Sequence, residues 1–278
     1  STPKPSSAAS DVYKRQTHFT CVKFAEASVV EVPCGETFKL DEEALKERIT
    51  EKSKMILLGT PNNPTGGVLN IDEIRAVTEI AEDHDLIILS DEIYDKIIYD
   101  GFETRSVASF ENVRDRIIVI NGFSKAYAMT GWRLGYVFAE KKYMEGINKM
   151  QQATTTCPAS FVQKAGVAAL RGPQDCVHKM VEEYDRRRKF IVKRLNEIER
   201  VHCQMPKGAF YVFPRFSNVQ MSSLDFCSKL LEETGVCSTP GSVFGRCGEG
   251  YVRFSYSTSM EVISEAMEKV EEFVSRLS

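Results

Sequence analysis

The feature that most constrains this 278-residue chain is a series of short apolar runs separated by helix-like segments. Four runs are typical of strands buried on both faces of a sheet: residues 55–59, 86–90, 117–121 and 134–139. Between them, Asp41 is a candidate helix N-cap, and Asn70 followed by Glu73 resembles a capping box. Strands that alternate with helices predict an α/β fold built on a mostly parallel sheet.

The pattern changes in the last third of the chain. Residues 174–200 have the spacing of one long amphipathic helix, and we expect the run DRRRK (185–189) to be a solvated face of it rather than a basic binding patch. Two strand-like runs follow, at 209–214 and 251–256, and then a last helix with apolar residues at helical spacing. The sequence therefore predicts a smaller α+β domain attached to the long helix.

The first sixteen residues differ in composition from the rest. They are rich in Ser, Pro and Ala and contain no apolar core of a secretory signal, and a transit peptide is a weaker alternative. We expect residues 1–16 to be non-native or disordered. The predicted organisation is then an incomplete large domain over 17–175 and the long helix with a small C-terminal domain over 176–278.

Charge and composition exclude several classes of protein. The net charge of −3 leaves no basic footprint for nucleic acid or for an acidic membrane surface. The longest apolar runs are about five residues, whereas a membrane-spanning helix needs about 20. The eight cysteines form no C-x-x-C pair and no Cys/His cluster with zinc spacing. We therefore expect reduced thiols, many of them buried, in a cytoplasmic protein without a metal site.

Polar motifs follow three of the predicted strands directly. TPNNPTGG follows the first, SDEIYD the second and GFSK the third, while YVRFSY carries an arginine inside a strand of the second domain. Ligands of parallel α/β sheets bind at the carboxyl ends of the strands. Each motif alone is ordinary, since Asn-Pro pairs are usually turns and a lone lysine is usually a solvated charge. Together they supply an amide, a carboxylate, a phenol, an amine and two guanidinium groups.

Five motifs, in this order, resemble the pyridoxal-phosphate-dependent aminotransferases of class I/II, which have fold type I. The motifs are NNPTG (62–66), SDEIY (90–94), SKAYAMTGWRLGY (124–136), KGAFYVF (207–213) and VRFSYSTS (252–259). The resemblance runs from Thr17 to the C-terminus and is greatest to the aspartate/aromatic group. It implies a PLP-binding large domain, a smaller C-terminal domain, and transamination between an L-amino acid, with aspartate or aromatic side chains favoured, and a 2-oxo acid such as 2-oxoglutarate.

The resemblance also implies roles at the cofactor ring. Lys125 would form the internal Schiff base with pyridoxal 5′-phosphate and, once displaced, would move a proton as general base and acid. Asp91 would pair with the pyridinium nitrogen and keep the ring an electron sink. Asn63 and Tyr94 would hydrogen-bond the phenolic oxygen of the ring.

The remaining implied contacts are to anionic groups. Arg133 would bind the cofactor phosphate with paired hydrogen bonds, and Ser124 would add a hydroxyl. Arg253, from the second domain, would bind the substrate α-carboxylate in a bidentate fork. Gly122 departs from subgroups that carry a serine there, which leaves a further hydroxyl contact to phosphate open.

The chain also lacks a segment that members of this family carry. Ahead of the matched part they have a glycine-rich phosphate loop, an aromatic residue that stacks on the ring, and residues that cross a dimer interface. No such loop precedes Thr17. We therefore expect an N-terminally truncated chain that has a raw sheet edge, binds cofactor poorly by itself and aggregates. In the full-length parent, the resemblance implies a homodimer.

Three other functions remain open on the motifs alone. A carbon–sulfur β-lyase, or another non-transaminating PLP enzyme of fold type I, would use the same residues. The aminotransferase-like domain of a transcription regulator would carry a basic winged-helix module ahead of this part. A non-catalytic fragment is the third, and the intact set of site residues argues that its parent, at least, is active.

Overall fold

The computed structural model describes residues 7–11, 16–35, 37–217 and 219–277. The strands in these ranges are β1 Ser7–Asp11, β2 Ser28–Val32, β3 Ser53–Gly59, β4 Ile87–Asp91, β5 Ile117–Gly122, β6 Gly135–Ala139, β7 Val201–His202, β8 Tyr211–Val212, β9 Arg215–Phe216, β10 Thr239–Pro240 and β11 Val252–Ser255. The α-helices are α1 Gln16–Phe24, α2 Glu42–Arg48, α3 Ile71–Asp83, α4 Lys141–Thr154, α5 Ser160–Arg171, α6 Asp175–Glu197, α7 Ser223–Thr234 and α8 Met260–Ser275.

A six-stranded sheet in the order β2-β1-β3-β4-β5-β6 organises the first part of the chain. Every neighbouring pair is parallel except β5 and β6, which are antiparallel. The prediction of a mostly parallel α/β sheet is therefore confirmed. Gly59 pairs with Asp91, and Asp91 pairs with Ile120, so β3, β4 and β5 end at the same edge of the sheet. The three polar motifs consequently emerge side by side.

Local hydrogen bonds explain where α2 and α3 begin. The Oδ1 of Asp41 accepts a hydrogen bond from Ala44 N at 2.9 Å, as expected of an N-cap. Asn70 and Glu73 form the predicted capping box, in which each side chain accepts from the other residue's backbone N–H, at 2.9 and 2.8 Å. The apolar face of α3 then packs into the core under β3 and β4.

The expectation that residues 1–16 are non-native or disordered stays a prediction, although the structure places Ser7–Asp11 in a strand. These residues form β1, which pairs in parallel with β2 on one side and β3 on the other. The run SAASD has no apolar pattern, so only backbone pairing to two neighbours could define it as a strand. Residues 1–6 and 12–15 lie outside the described residues, and the predicted domain limits stay a prediction.

The prediction that residues 134–139 form a strand buried on both faces is half wrong. They do form β6, but β6 is the edge strand of the sheet, and Tyr136 and Phe138 are exposed. No residue of the adjacent α4 is buried. We call β6, the turn before it, α4 and α5 the open region, because large apolar side chains are exposed throughout it: Trp132, Tyr136, Phe138, Met150, Phe161, Val167 and Leu170.

The second part of the chain is built on α6, as predicted. Its sheet has the order β10-β11-β8, β7 pairs with β9, and α6, α7 and α8 pack around them. The core of this part includes Tyr94, Ile97 and Tyr99 from the segment after β4. The small domain is thus packed directly on the segment that carries the SDEIYD motif.

Arg188 corrects the prediction that DRRRK is a solvated face of α6. Its side chain is only 1% exposed and pairs with Asp100 at 2.7 Å and with Asp185 at 2.5 Å. It also donates to the carbonyl of Pro206 at 2.6 Å and lies over the ring of Tyr99. Hydrogen bonds from Arg188 and then Lys207 hold the pKa of Asp100 below its ordinary value. Because Asp100 and Pro206 lie outside the helix, at 88 and 18 residues' separation, helical spacing alone gave no sign of the burial of Arg188.

Three predicted absences concern membranes, metals and thiols. Within the described ranges, no helix combines the length and apolarity needed to cross a bilayer. The same ranges contain no group of three or more His, Cys, Asp or Glu residues placed to hold a metal ion. All eight cysteines are free; Cys34, Cys203 and Cys227 are buried and the other five are exposed, so fewer are buried than we expected.

Candidate active site

Side chains within the loop after β3 stabilise its conformation. Asn62 accepts hydrogen bonds from the backbone N and the Oγ1 of Thr65, at 3.3 and 3.1 Å, and donates to the carbonyl of Gly59. Asn62 is thereby used in shaping the turn. The next residue, Asn63, is half-buried and presents its amide to the second part of the chain.

Gly66 joins this loop to the KGAFYVF segment. Its carbonyl accepts from the backbone N–H of Lys207 and of Gly208, at 2.8 and 2.9 Å. Its φ is +68°, and a Cβ there would stand 2.2 Å from the Cβ of Pro206. Only glycine combines this left-handed conformation with such a close approach. The NNPTG and KGAFYVF motifs, far apart in sequence, are therefore in direct contact.

Asp91 and Tyr94 follow β4 on the neighbouring loop. Asp91 is buried at the carboxyl end of the strand, and its Oδ1 accepts from Ile93 N at 3.2 Å. Tyr94 is 1% exposed, and its hydroxyl lies 3.1 Å from the hydroxyl of Tyr211. The ring of Phe210 meets the ring of Tyr94 edge-on, with centroids 5.4 Å apart. The phenol thus has a fixed direction.

Lys125 lies in the loop after β5, half-buried. Its Nζ is 5.5 Å from the ring centroid of Phe210 and 5.9 Å from that of Tyr94, within the range of cation–π attraction. These contacts bring the amine to the same place as the phenol of the SDEIYD motif. The convergence predicted for the strand ends is therefore present for Lys125 and Tyr94.

Arg253 reaches the same place from β11. Its Nη1 donates to the Oδ1 of Asn63 at 2.8 Å, and its Nη2 donates to the Oγ1 of Thr239 at 3.0 Å. The guanidinium carbon lies 4.5 Å from the ring centroid of Tyr211 and 5.1 Å from that of Phe244. Both terminal nitrogens of Arg253 are thus hydrogen-bonded, and two aromatic rings lie close to its guanidinium group.

Arg133, Ser124 and Gly122 stand apart from this network. Arg133 is exposed, has a left-handed backbone (φ +53°) and donates to the carbonyl of Thr130 at 2.9 Å. Among the described residues, neither Arg133 nor the half-buried Ser124 hydrogen-bonds to the groups around Lys125. A Cβ at Gly122 would meet the carbonyl of Leu134 at 3.0 Å, so a serine there would have to push β5 and β6 apart.

Two acidic residues after β4 are protonated more readily than usual. Burial raises the pKa of Glu92, although it accepts hydrogen bonds from the hydroxyl of Ser90 and from Val107 N, at 3.0 and 3.1 Å. Burial also raises the pKa of Asp95, against a hydrogen bond from Asn121. Glu92 ties the end of β4 to Val107, 15 residues later, and so supports the Asp91 position.

Sequence reasoning missed four residues of this network: Phe210, Tyr211, Thr239 and Phe244. Phe210 and Tyr211 lie within the KGAFYVF motif, which we used only to recognise the family, so the signal was present but unassigned. Thr239 lies in β10 and carries no signal, because its contact with Arg253 arises from the antiparallel pairing of β10 and β11. Contacts of this kind are visible only after the strands are placed.

Comparison with known proteins shows the family of the chain. A family model described as aminotransferase class I and II matches residues 16–270. The chain belongs to this aminotransferase family. It is 44% identical over 254 residues to an aspartate aminotransferase of Pyrococcus abyssi and 43% identical over 254 residues to aromatic-amino-acid aminotransferase 2 of Thermococcus litoralis. Each of these alignments covers 90% of this chain and 65% of the relative, so the chain spans less than two thirds of their length.

The fold type predicted for this aminotransferase-family chain is confirmed by solved structures. The crystal structure of an aromatic aminotransferase from Pyrococcus horikoshii superposes with a TM-score of 0.95 at 39% identity. That match covers 100% of this chain and 76% of the other. Pyridoxal 5′-phosphate is the cofactor of the class I/II aminotransferases.

Proposed function

We propose that the protein to which this chain belongs catalyses PLP-dependent transamination between an L-amino acid, aspartate or aromatic, and a 2-oxo acid such as 2-oxoglutarate. The observation that carries the proposal is that Lys125 lies near the ring of Tyr94, while Arg253 is linked to Tyr94 through Tyr211 and to the loop after β3 through Asn63. An amine, a phenol and a carboxylate-binding fork at one place match what a transaminase must bind and move.

The donor set fits pyridoxal 5′-phosphate. When bound, this cofactor supplies an aldehyde that reacts with amines and a ring that withdraws electrons from the substrate Cα. Lys125 provides an amine held against two aromatic rings, and Asp91 provides a buried carboxylate for the ring nitrogen. Arg133 is exposed and reaches only its own turn, so it would have to turn toward the phosphate.

Some of the chain's own residues would bind the cofactor and the substrate, and one would transfer the proton. Lys125 would accept the proton at the substrate Cα and return it, because an amine in its free-base form is a competent general base. Tyr94 and Asn63 would hydrogen-bond the phenolic oxygen of the cofactor. Tyr94 now contacts the hydroxyl of Tyr211 and Asn63 accepts from the fork of Arg253, and Arg253 lies over the ring of Tyr211, which supports placing both side chains at one site.

Arg253 would bind the substrate α-carboxylate. A guanidinium presents paired N–H groups in a plane, which matches the two oxygens of a carboxylate. Its hydrogen bond to Asn63 connects the small domain with the loop after β3, so a bound carboxylate would join the two parts of the chain at this point.

An absorption spectrum of the purified chain with added pyridoxal 5′-phosphate tests the proposal. At an excess of pyridoxal 5′-phosphate, which offsets the weak binding expected of the chain by itself, we expect a band in the near-visible region that is lost in Lys125→Ala, retained in the control Lys164→Ala on the exposed face of α5, and bleached by aspartate or tyrosine. Assays for 2-oxoglutarate-dependent product and for pyruvate release then separate transamination from β-elimination. A band of equal strength in Lys125→Ala would contradict the role of Lys125.

We further propose that the full-length parent is a cytoplasmic homodimer. Eight free cysteines suit a reducing compartment. The exposed apolar side chains of the open region suit a surface that further polypeptide covers. Light scattering on the full-length parent tests the dimer, and a monomer at micromolar concentration would contradict it.

A further inference from the structure

Tyr211 lies between two residues that the proposed function uses. Its side chain is 8% exposed, and its hydroxyl is 3.1 Å from the hydroxyl of Tyr94. The guanidinium carbon of Arg253 lies over its ring, 4.5 Å from the ring centroid. One buried side chain therefore touches both the phenol assigned to the cofactor and the arginine assigned to the substrate.

The backbone that carries Tyr211 is held firmly. Tyr211 pairs with Ser255 across the β8–β11 ladder. Two residues earlier, Ala209 has φ +58°, and its carbonyl accepts hydrogen bonds from the hydroxyls of Tyr99 and Tyr256, at 2.5 and 3.1 Å. Burial raises the pKa of both phenols, so both keep the protons that they donate. The backbone at Tyr211 is consequently held by strand pairing on one side and by the hydrogen bonds to Ala209 on the other.

The arginine, by contrast, depends on its neighbours for its direction. A long flexible side chain such as that of Arg253 loses rotamer entropy when it is fixed. Stacking of a guanidinium on an aromatic face offsets part of that cost, more where water is excluded. The rings of Tyr211 and Phe244 supply two such faces, and Asn63 and Thr239 then set the rotation of the fork.

We propose that Tyr211 is a positioning residue that sets the direction of the Arg253 fork and, through its hydroxyl bond to Tyr94, fixes that fork relative to the cofactor phenol. The inference rests on the proposed function, because it assigns Arg253 to the substrate carboxylate. It adds that the two binding elements are coupled through one tyrosine rather than placed independently.

The ring and the hydroxyl of Tyr211 have separable effects. Tyr211→Phe keeps the stacking face and removes the bond to Tyr94, whereas Tyr211→Leu or Tyr211→Met removes the face. Tyr94→Phe removes the same hydroxyl bond from its other end. If the bond anchors the ring, Tyr94→Phe and Tyr211→Phe should have equal effects on Arg253, and the double variant should be no worse than either.

The test needs no cofactor. Phenylglyoxal modifies accessible arginines, and peptide mass mapping measures the rate at each site in the purified chain. We expect Arg253 to react severalfold faster in Tyr211→Leu and Tyr211→Met than in the chain without substitutions. A smaller, equal and non-additive increase is expected in Tyr94→Phe and Tyr211→Phe. The exposed Arg105 should react at one rate throughout, and the buried Arg188 should stay protected in every variant that is folded.

The outcomes distinguish the two proposals. Unchanged Arg253 rates in folded Tyr211→Leu and Tyr211→Met would overturn the positioning role. Additive effects of Tyr94→Phe and Tyr211→Phe would overturn the coupling. If the chain gives no Lys125-dependent band with pyridoxal 5′-phosphate, the proposed function fails for this chain while the arginine rates still decide the role of Tyr211.

Discussion

Arg253 donates a 2.8 Å hydrogen bond to the Oδ1 of Asn63, 190 residues earlier in the chain. The bond connects β11 of the small domain with the loop after β3 of the large sheet. Its second nitrogen bonds Thr239 within the small domain, so the fork bridges the two parts. A ligand carboxylate bound to the Arg253 fork would therefore be held by a group that both parts of the chain position.

Replacing Arg253 by lysine tests whether this fork is needed. A single ammonium group is a point charge and cannot reproduce the planar pair of contacts to Asn63 and Thr239. We expect KM for both substrates to rise about 10–100-fold, from the loss of about 1.5–3 kcal/mol of charge-assisted hydrogen bonding, with a smaller change in kcat. Steady-state kinetics measure this. Arg105→Lys, at an exposed position, is the control; a KM unchanged in Arg253→Lys would contradict the assignment.

Glu92 predicts a pH dependence of stability. Burial raises its pKa in the folded chain above the ordinary 4.5, so the favourable contribution of the protonated form is present below that value and is lost as pH rises through the folded pKa. Glu92→Gln cannot ionise and keeps an oxygen to accept from Ser90 and Val107. We expect the variant to gain Tm over the natural sequence as pH rises from 5 to 8, by about 2–4 °C per kcal/mol. Thermal melts with a constant difference across that range would exclude this explanation.

Arg188 is predicted to be a stability residue. Arg188→Met leaves Asp100 and Asp185 without their buried partner, and we expect a loss of about 3 kcal/mol in the free energy of unfolding, at the low end for buried pairs because both carboxylates reach solvent. Arg186→Met, on the exposed side of the same helix, removes a surface pair and should cost less than about 1 kcal/mol. Urea denaturation compares them, and equal losses would show that the burial of Arg188 contributes nothing.

Gly66 and Gly101 form a matched pair for backbone strain. Both have positive φ, but a Cβ at Gly66 would stand 2.2 Å from Pro206 Cβ, whereas a Cβ at Gly101 would have nothing within 4 Å. We expect Gly101→Ala to cost about 1–2 kcal/mol from the left-handed conformation alone. Gly66→Ala should cost about 2–4 kcal/mol because overpacking is added. If denaturant titrations gave similar losses in the free energy of unfolding, the contact between the NNPTG and KGAFYVF motifs would have to accommodate a Cβ at Gly66 without a free-energy penalty.

The open region predicts self-association of this chain. Phe138 and Phe161 are 50% and 67% exposed, and burying such rings is favourable by about 1.5–3 kcal/mol each. The double variant Phe138→Thr/Phe161→Gln should raise the dissociation constant for self-association at least about tenfold in sedimentation velocity. Leu231→Gln removes an exposed apolar side chain from α7 instead and should leave self-association unchanged. A chain that remains monomeric at high concentration would contradict this prediction.

Patterns confined to one element were predictable from the sequence. The apolar runs at β3, β4 and β5 predict buried strands, because a strand covered on both faces needs apolar residues at successive positions and not only at alternate ones. The caps at Asp41 and Asn70 were equally local, since a helix start needs an acceptor within three residues. The motifs named Lys125, Asp91, Tyr94 and Arg253 through the family they resemble.

Only the tertiary structure decided the rest. The burial of Arg188, the edge position of β6 and the insertion of β1 between β2 and β3 depend on partners that are distant in sequence. In the sequence, Tyr211 looks like any aromatic residue of the core. Only the pairing of β8 with β11 places its ring over Arg253 and its hydroxyl beside that of Tyr94. Local sequence determines which face of an element is apolar, but which residues meet depends on strand order and domain packing, because those contacts form between segments that carry no common pattern.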